Sequence, residues 1–509
     1  MRSKPFLLQS SLLALALTFG IQSVATAQTV KVEAVLPEVT AAVAAQNYTD
    51  ARNLLETLAK DRDHAEHSEV LYRLGKMLLN TRGGPADTLR GTKLLNSAAK
   101  ADHIPAIILL SQLYARGVIV KKSPQTTAKL LDRASHLGSA VAQLRLGQMY
   151  QTGFGVSKAP ETAVKLFERA SKSENLQAMF ELSKHYSRGL GVEKDTQKAF
   201  DLLEKAAQAG YNEAQMFMGL NYLQGSGVTK DGAKGIDWMT RAAQGGQITA
   251  QRILGTAYLQ GDGVDKKPDE ALRWLHKSAQ AGEAGAQSNL GYIYANGIGA
   301  KQDYAKAFEW YEKASDQSLL RATTALASLY ERGFGTDKNL PRAAELYAQA
   351  ADQGELNAQA QLARLIIAGF ATSIPAHKRH IVWVAQIGLD GDENAQAWLE
   401  QKAAANNLTA QGRLGHLYAQ SQDADAKAFE MLSTAAARGD AFGQYQLGQL
   451  YASGTGVAQD YVEAYKWANL AAARGNQPAF KSRDIYAKLM TQDQIAQAQK
   501  RARGYVAEN

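Results

Sequence analysis

The chain has 509 residues, 45% of them hydrophobic, with 10 prolines, no cysteine and a net charge of +8. Zero cysteine excludes a disulfide framework and a lipidated N-terminal cysteine. The absence of a dense Lys/Arg run argues against a nucleic-acid partner, and the proline-poor, apolar composition argues against long disorder.

Residues 1–27 read as an export signal. Arg2 and Lys4 supply the positive n-region and residues 12–19 the apolar core. Ala25-Thr26-Ala27 is a small-x-small cleavage site that would leave Gln28 as the mature N-terminus. That apolar run is too short to span a bilayer and no later stretch is long enough, so no stable membrane insertion is expected. Residues 28–66 are expected to form N-terminal capping helices, with residues 35–61 a helical hairpin turning at Gln46-Asn47-Tyr48.

Residues 67–368 repeat with a period of 36. A Leu-Gly-like pair recurs at Leu74-Gly75, Leu146-Gly147, Leu182-Ser183, Met218-Gly219, Leu254-Gly255, Leu290-Gly291 and Leu326-Ala327. Tyr114, Tyr150, Tyr186, Tyr222, Tyr258, Tyr294 and Tyr330 keep the same step, and pairs of glycines follow, as at Gly153 and Gly155. Such a period predicts a solenoid: an all-α fold of about eleven antiparallel helix pairs. In the unit 247–282, Ala250, Ile253, Leu254, Ala257 and Tyr258 mark an amphipathic helix, with Gly255 in its interior. Glycine there costs about 1 kcal/mol of helix propensity, so its recurrence predicts close approach of a neighbouring helix. Gly261-Asp262-Gly263 ends that helix, and Pro268-Asp269-Glu270 opens a second one. Its stripe includes Trp274, whose slot holds Trp238, Trp310 and Trp467 in other units and leucine elsewhere. These tryptophans read as core fillers.

The step fails after Leu362. Residues 369–406 form an irregular repeat or insertion, with Trp383 and an additional helical segment at 393–405. Residues 407–475 resume the pattern, and 476–509 read as C-terminal capping helices ending on a polar face. The first turn, Thr81-Arg82-Gly83-Gly84-Pro85, and the next, with Ile119 in the second glycine slot, also diverge.

Chemistry-bearing patterns are scarce. His377 and His380 form a close histidine pair, and Lys378 and Arg379 between them oppose a cation, so no metal site is expected. Asp390-Gly391-Asp392-Glu393-Asn394 lacks calcium-loop spacing and reads as a helix end followed by an acidic helix start. The G-x-G elements follow helices and lack a G-K-[ST], which makes them turns. No catalytic residue and no cofactor are assigned.

The pattern A-x3-LG-x2-Y-x2-G-x-GV-x2-D-x3-A-x2-W-x3-AA-x2-G, read over residues 142–354, resembles the Sel1-like repeat family, a relative of tetratricopeptide repeats. Residues 175–210, with Leu190-Gly191-Val192-Glu193-Lys194-Asp195, and residues 440–475, with Gly454-Thr455-Gly456-Val457, are close matches. The resemblance covers about residues 69–509. It implies a right-handed α-solenoid superhelix and a role as an interaction scaffold. It also implies that the first helix of each pair lines a concave groove. The expected binding residues there are Arg116, Leu144, Phe180, Arg188, Met216, Leu220, Leu223, Arg252, Leu259, Tyr292, Arg321 and Arg332, an apolar, aromatic and arginine set like that of interface cores.

With the export signal, this predicts a non-enzymatic periplasmic scaffold that binds proteins in cell-envelope assembly, polysaccharide export or signalling. A small-molecule ligand is not expected. A cell-wall-binding or β-lactamase-like hydrolase is the alternative from another class, although the cysteines and serine motif of such relatives are missing. A secreted factor that binds a host protein is the third reading.

Overall fold

The computed structural model describes residues 36–60, 67–371, 374, 378–421 and 424–508. The expected export signal and His377 lie outside them. Among the described residues there are 27 helices and no strand, and consecutive helices pack in antiparallel pairs, an α-solenoid. The chain divides into two compact units, Met1–Lys230 and Asp231–Asn509.

One repeat shows how the sequence builds the pair. Helix Ile248–Gln260 starts at Gln247, whose side chain accepts the Ala250 N–H, and stops at Gly261 with φ 79°. That left-handed value suits glycine and closes the helix through a bond from the Gly261 N–H to the Ala257 carbonyl at 2.8 Å. The chain then reverses, and the Lys267 N–H donates to the Tyr258 carbonyl at 2.9 Å before helix Pro268–Gln280 begins. The same clasp to the framework tyrosine recurs at Tyr114, Tyr150, Tyr186, Tyr294, Tyr330 and Tyr451, between 2.8 and 3.0 Å. These seven turns are therefore set by backbone bonding, whatever their variable residues.

The framework glycine does admit a neighbouring helix. A Cβ on Gly255 would lie 2.7 Å from Leu275 Cγ, and one on Gly291 would lie 2.6 Å from the Tyr311 ring. Buried alanines complete this close packing, and successive repeats join through pairs such as Leu275 and Ala279 against Leu290 and Ile293. Trp274 and Trp467 are buried. Trp238 and Trp310 are half-buried, with Arg241 and Lys313 over their rings at 4.8 and 4.4 Å.

In seven places a buried or half-buried glutamine ties a repeat to the helix before it. The Nε2 groups of Gln143, Gln215, Gln251, Gln287, Gln359, Gln411 and Gln444 donate to the carbonyl eight residues earlier, at 3.1 to 3.3 Å. Each of those carbonyls, at the end of the preceding second helix, also accepts a backbone N–H, as Ala243 does from Gly246 at 3.2 Å. Gln251→Leu keeps the volume and removes the donor to Ala243. It is expected to cost about 1 kcal/mol, the net worth of one buried hydrogen bond whose acceptor keeps a backbone donor, read as a lower urea midpoint. An unchanged midpoint would mean that the bond contributes nothing net.

The unit Met1–Lys230 opens with helices Pro37–Ala44 and Tyr48–Leu58, which share Leu36, Val39, Ala51 and Leu55 with Val70, Leu74 and Leu78 of the first repeat. In the unit Asp231–Asn509, helix Glu393–Ala404 stands where the period breaks. The Gln411 clamp to Ala403 shows that it takes the second-helix place for the repeat that follows. Gly391 has φ 98° and Asp392 caps the helix start by accepting from Asn394 and Ala395. Helices Gln477–Ala487 and Gln492–Glu508 end the chain, the last packing Ala498 and Ala502 inward.

Candidate partner-binding face

The first helices carry the expected binding residues, and the structure sorts those residues by exposure. In the unit Met1–Lys230, Leu144, Phe180 and Met216 are buried between helices, whereas Leu220 and Leu223 are half-buried. Arg116 and Arg188 are exposed. Phe180 meets Tyr211 and Phe217 from the next repeat at 5.6 and 5.2 Å, leaving Phe217 as the exposed ring of the three. Beside it Lys184 pairs with Glu181 at 2.8 Å and lies 5.2 Å above the Phe180 ring. One repeat earlier, a pocket of 300 Å3 is lined by Gln112, Arg145, Gln148 and Thr152 over Leu131 and Met149. With its amide turned to satisfy both groups, Gln112 accepts from Arg145 Nη1 at 2.6 Å. Burial first, and the Arg116 charge second, push the Arg145 pKa below its ordinary value.

In the unit Asp231–Asn509, Arg252 and Leu259 are half-buried, and Tyr292, Arg321 and Arg332 are exposed. Arg252 Nε is bound to Glu283 Oε1 at 3.0 Å, while Glu283 Oε2 accepts the Ala286 N–H at the start of the next helix. Arg252 is thus part of a helix cap. A polar ladder then crosses successive first helices. Asn289 donates to Thr256 Oγ1 at 3.0 Å and accepts from Arg321 Nη2 at 3.3 Å. Thr324 donates to Glu355 at 3.2 Å. The ladder borders a cavity of 360 Å3 whose lining includes Arg321, Ser328, Glu331, Arg332, Asn357 and Gln361.

Further along, Arg413 stacks 3.5 Å from the centre of the Phe442 ring, which His416 meets edge-on at 5.5 Å. Burial foremost, then the Arg413 charge, lowers the His416 pKa, which favours the neutral imidazole. Sequence reasoning missed Arg145, Asn289, Gln361 and Arg413. The signal was available: all four stand six residues after the helix N-cap, at Ser139, Glu283, Glu355 and Asn407. That slot varies in chemistry far more than the Leu-Gly-like framework beside it.

No group of three or more His, Asp or Glu side chains able to hold a metal ion occurs among the described residues. No helix among them is long and apolar enough to cross a membrane. The surface offers arginines, amides, hydroxyls and single aromatic rings in shallow pockets, groups that recognise peptide side chains and backbone.

The model of the Sel1 repeat matches residues 68–103, 104–139, 140–175, 176–211, 212–247, 248–283, 284–319, 320–355, 408–440 and 441–476. The unmatched residues 356–407 include the point where the step fails. No curated protein matches. Among solved structures, the chain is similar to c5321, a protective antigen present in uropathogenic Escherichia coli strains displaying an SLR fold. Identity is 27%, the TM-score is 0.55, and the likeness covers 89% of this chain and 94% of that one. It is also similar to a Sel1 repeat protein from Oxalobacter formigenes, at 28% identity and a TM-score of 0.48, over 61% of this chain and 90% of that one. Ten matched repeats over most of its length make the chain a member of the Sel1 repeat family.

Proposed function

We propose that this protein is an exported scaffold, periplasmic and non-enzymatic, which holds a protein partner of the cell envelope on its first-helix faces. Cell-envelope assembly, polysaccharide export and signalling are the pathways in view. The observation that carries the reading is the row of exposed arginines and rings on first helices: Arg116, Arg188 and Phe217 in one unit, Tyr292, Arg321 and Arg332 in the other. Arginine and aromatic side chains concentrate binding energy at interfaces, and the backbone behind them is held by framework residues that need no partner.

Arg252 is unsuited to a charge-reversal test, because its partner Glu283 caps a helix. Arg188→Glu and Arg332→Glu leave the folded framework intact and are expected to weaken capture of the partner by about tenfold, as interface arginines do. In-cell crosslinking of the tagged protein, followed by mass spectrometry, identifies that partner. Undiminished crosslinking by both variants, with the helical signal preserved, would remove these faces as the site.

A second reading is a secreted factor that binds a host protein, favoured by the description of the similar E. coli chain as a protective antigen. Recovery from culture supernatant supports it, and recovery in an osmotic-shock fraction supports the periplasmic reading.

A further inference from the structure

The divergent turn Thr81-Arg82-Gly83-Gly84-Pro85 has a local cause. Gly83, at φ 79°, lies so near helix Tyr48–Leu58 that a Cβ would stand 2.2 Å from the Tyr48 carbonyl oxygen. Arg52 Nη1 donates to the Pro85 carbonyl at 2.8 Å. The turn is thereby fastened to the N-terminal hairpin, and Arg82 is laid over the Tyr48 ring, 5.3 Å from its centre. Asn80 steadies the approach: it donates to the Lys76 carbonyl at 3.3 Å and accepts the Arg82 N–H at 2.8 Å.

These residues border a cavity of 490 Å3 between helices Pro37–Ala44, Tyr48–Leu58 and His67–Leu78. Its floor is apolar, from Val39, Leu55 and Met77, and Val43 is 42% exposed at its edge. Its charged groups are mostly cationic, Arg73, Lys76 and Arg82. Among the described residues Glu69 is the one carboxylate in the lining, and both its oxygens are engaged, by Arg73 Nε at 2.5 Å and by His103 Nε2 at 2.8 Å. Arg73 Nη1 also donates to Thr40 Oγ1 at 3.0 Å. Neither Lys76 nor Arg82 has an ion-pair partner among the described residues. Lys76 Nζ instead faces the Tyr72 ring, 5.9 Å from its centre. Burial, followed by the Arg82 and Arg73 charges, holds the Lys76 pKa below its ordinary value. An anion placed between these cations relieves that repulsion.

The volume is that of a pocket for an organic ligand, not a bare ion. The apolar floor disfavours inorganic anions, and the surplus of positive charge disfavours neutral or basic ligands. We propose that this cleft binds a carboxylate joined to an apolar group, as at the C-terminus of a peptide ending in a large apolar residue. Lys76 and Arg82 hold the carboxylate, and the Val39–Leu55–Met77 floor takes the side chain. The site is distinct from the first-helix residues argued above and does not depend on that reading.

Calorimetric titration of the full chain tests it with three probes: acetyl-Ala-Leu-Phe as the free acid, the same peptide as its C-terminal amide, and 4-phenylbutyrate. The free-acid peptide is expected to bind about tenfold more tightly than the amide, the worth of one charge-assisted hydrogen bond. Lys76→Met and Arg82→Met should each erase that preference with the helical signal unchanged. Because Arg82 is exposed, its variant carries the test even if Lys76→Met unfolds. Phenylbutyrate binding as tightly as the peptide upholds the carboxylate site and assigns it to free acids. Equal affinity for acid and amide, no binding by either acid, or a preference that survives in Arg82→Met overturns the proposal.

Discussion

Gly191→Ala is expected to destabilise its unit by about 3 kcal/mol, and Gly227→Ala by only about 1 kcal/mol. The two positions look alike in sequence, each the second glycine of a G-x-G turn, and both have left-handed φ, 71° and 77°. An L-residue in that region costs about 1–2 kcal/mol, which applies to both. What separates them is the preceding repeat. A Cβ on Gly191 would lie 2.3 Å from the Pro160 carbonyl carbon and 2.5 Å from the Glu161 nitrogen, whereas one on Gly227 meets nothing within 4 Å. Backbone cannot rotate aside as a side chain can, so the collision adds about 1–3 kcal/mol of strain. The same approach occurs at Gly335 against Tyr304 and at Gly456 against Asp425. The second glycine is thus an inter-repeat contact point as well as a turn residue. Urea midpoints of the two variants decide it, and equal losses would refute the contact argument.

Phe167→Ala should cost about 4 kcal/mol, within the range for a fully buried aromatic side chain. Phe167 has no exposed surface, and its ring fills the space opposite Gly147. A Cβ on Gly147 would lie 2.5 Å from Phe167 Cε1, so Gly147→Ala alone costs about 2 kcal/mol by overpacking. The double variant removes the clash along with the ring. Its loss should therefore fall short of the sum by at least about 1 kcal/mol, the coupling expected of residues in contact. Strict additivity would show that the glycine is kept for some reason other than helix approach. Local hydrogen exchange in the helices Ala140–Thr152 and Pro160–Lys172 is the better readout, since repeat arrays need not unfold in one step.

Much of the fold was legible because its information is local and repeated. Leu254, Gly255 and Tyr258 recur in register, and their spacing alone specifies an amphipathic helix, a close neighbour and a turn. The second helix was equally plain from Pro268 and the acidic residues after it. The break after Leu362 was visible as a lost step, and the family model leaves the same stretch unmatched.

The candidate face was legible only in part. Arg188, Tyr292, Arg321 and Arg332 are exposed, but Leu144, Phe180 and Met216 carry the same hydrophobic signal and are buried. Periodicity gives the face of a helix a residue occupies, and it cannot tell whether the next repeat covers that spot. Arg252 looked like an interface arginine until Glu283, 31 residues later, was found to hold it.

Sequence by itself determined that this chain is a stack of helix pairs and where its turns fall, because those properties depend on neighbours within one repeat. The tertiary structure decided what depends on two repeats at once. The Gly191 contact and the cleft beside Lys76 each join groups from separate helices. Their distances follow from how helices stack, and no spacing along the chain encodes them.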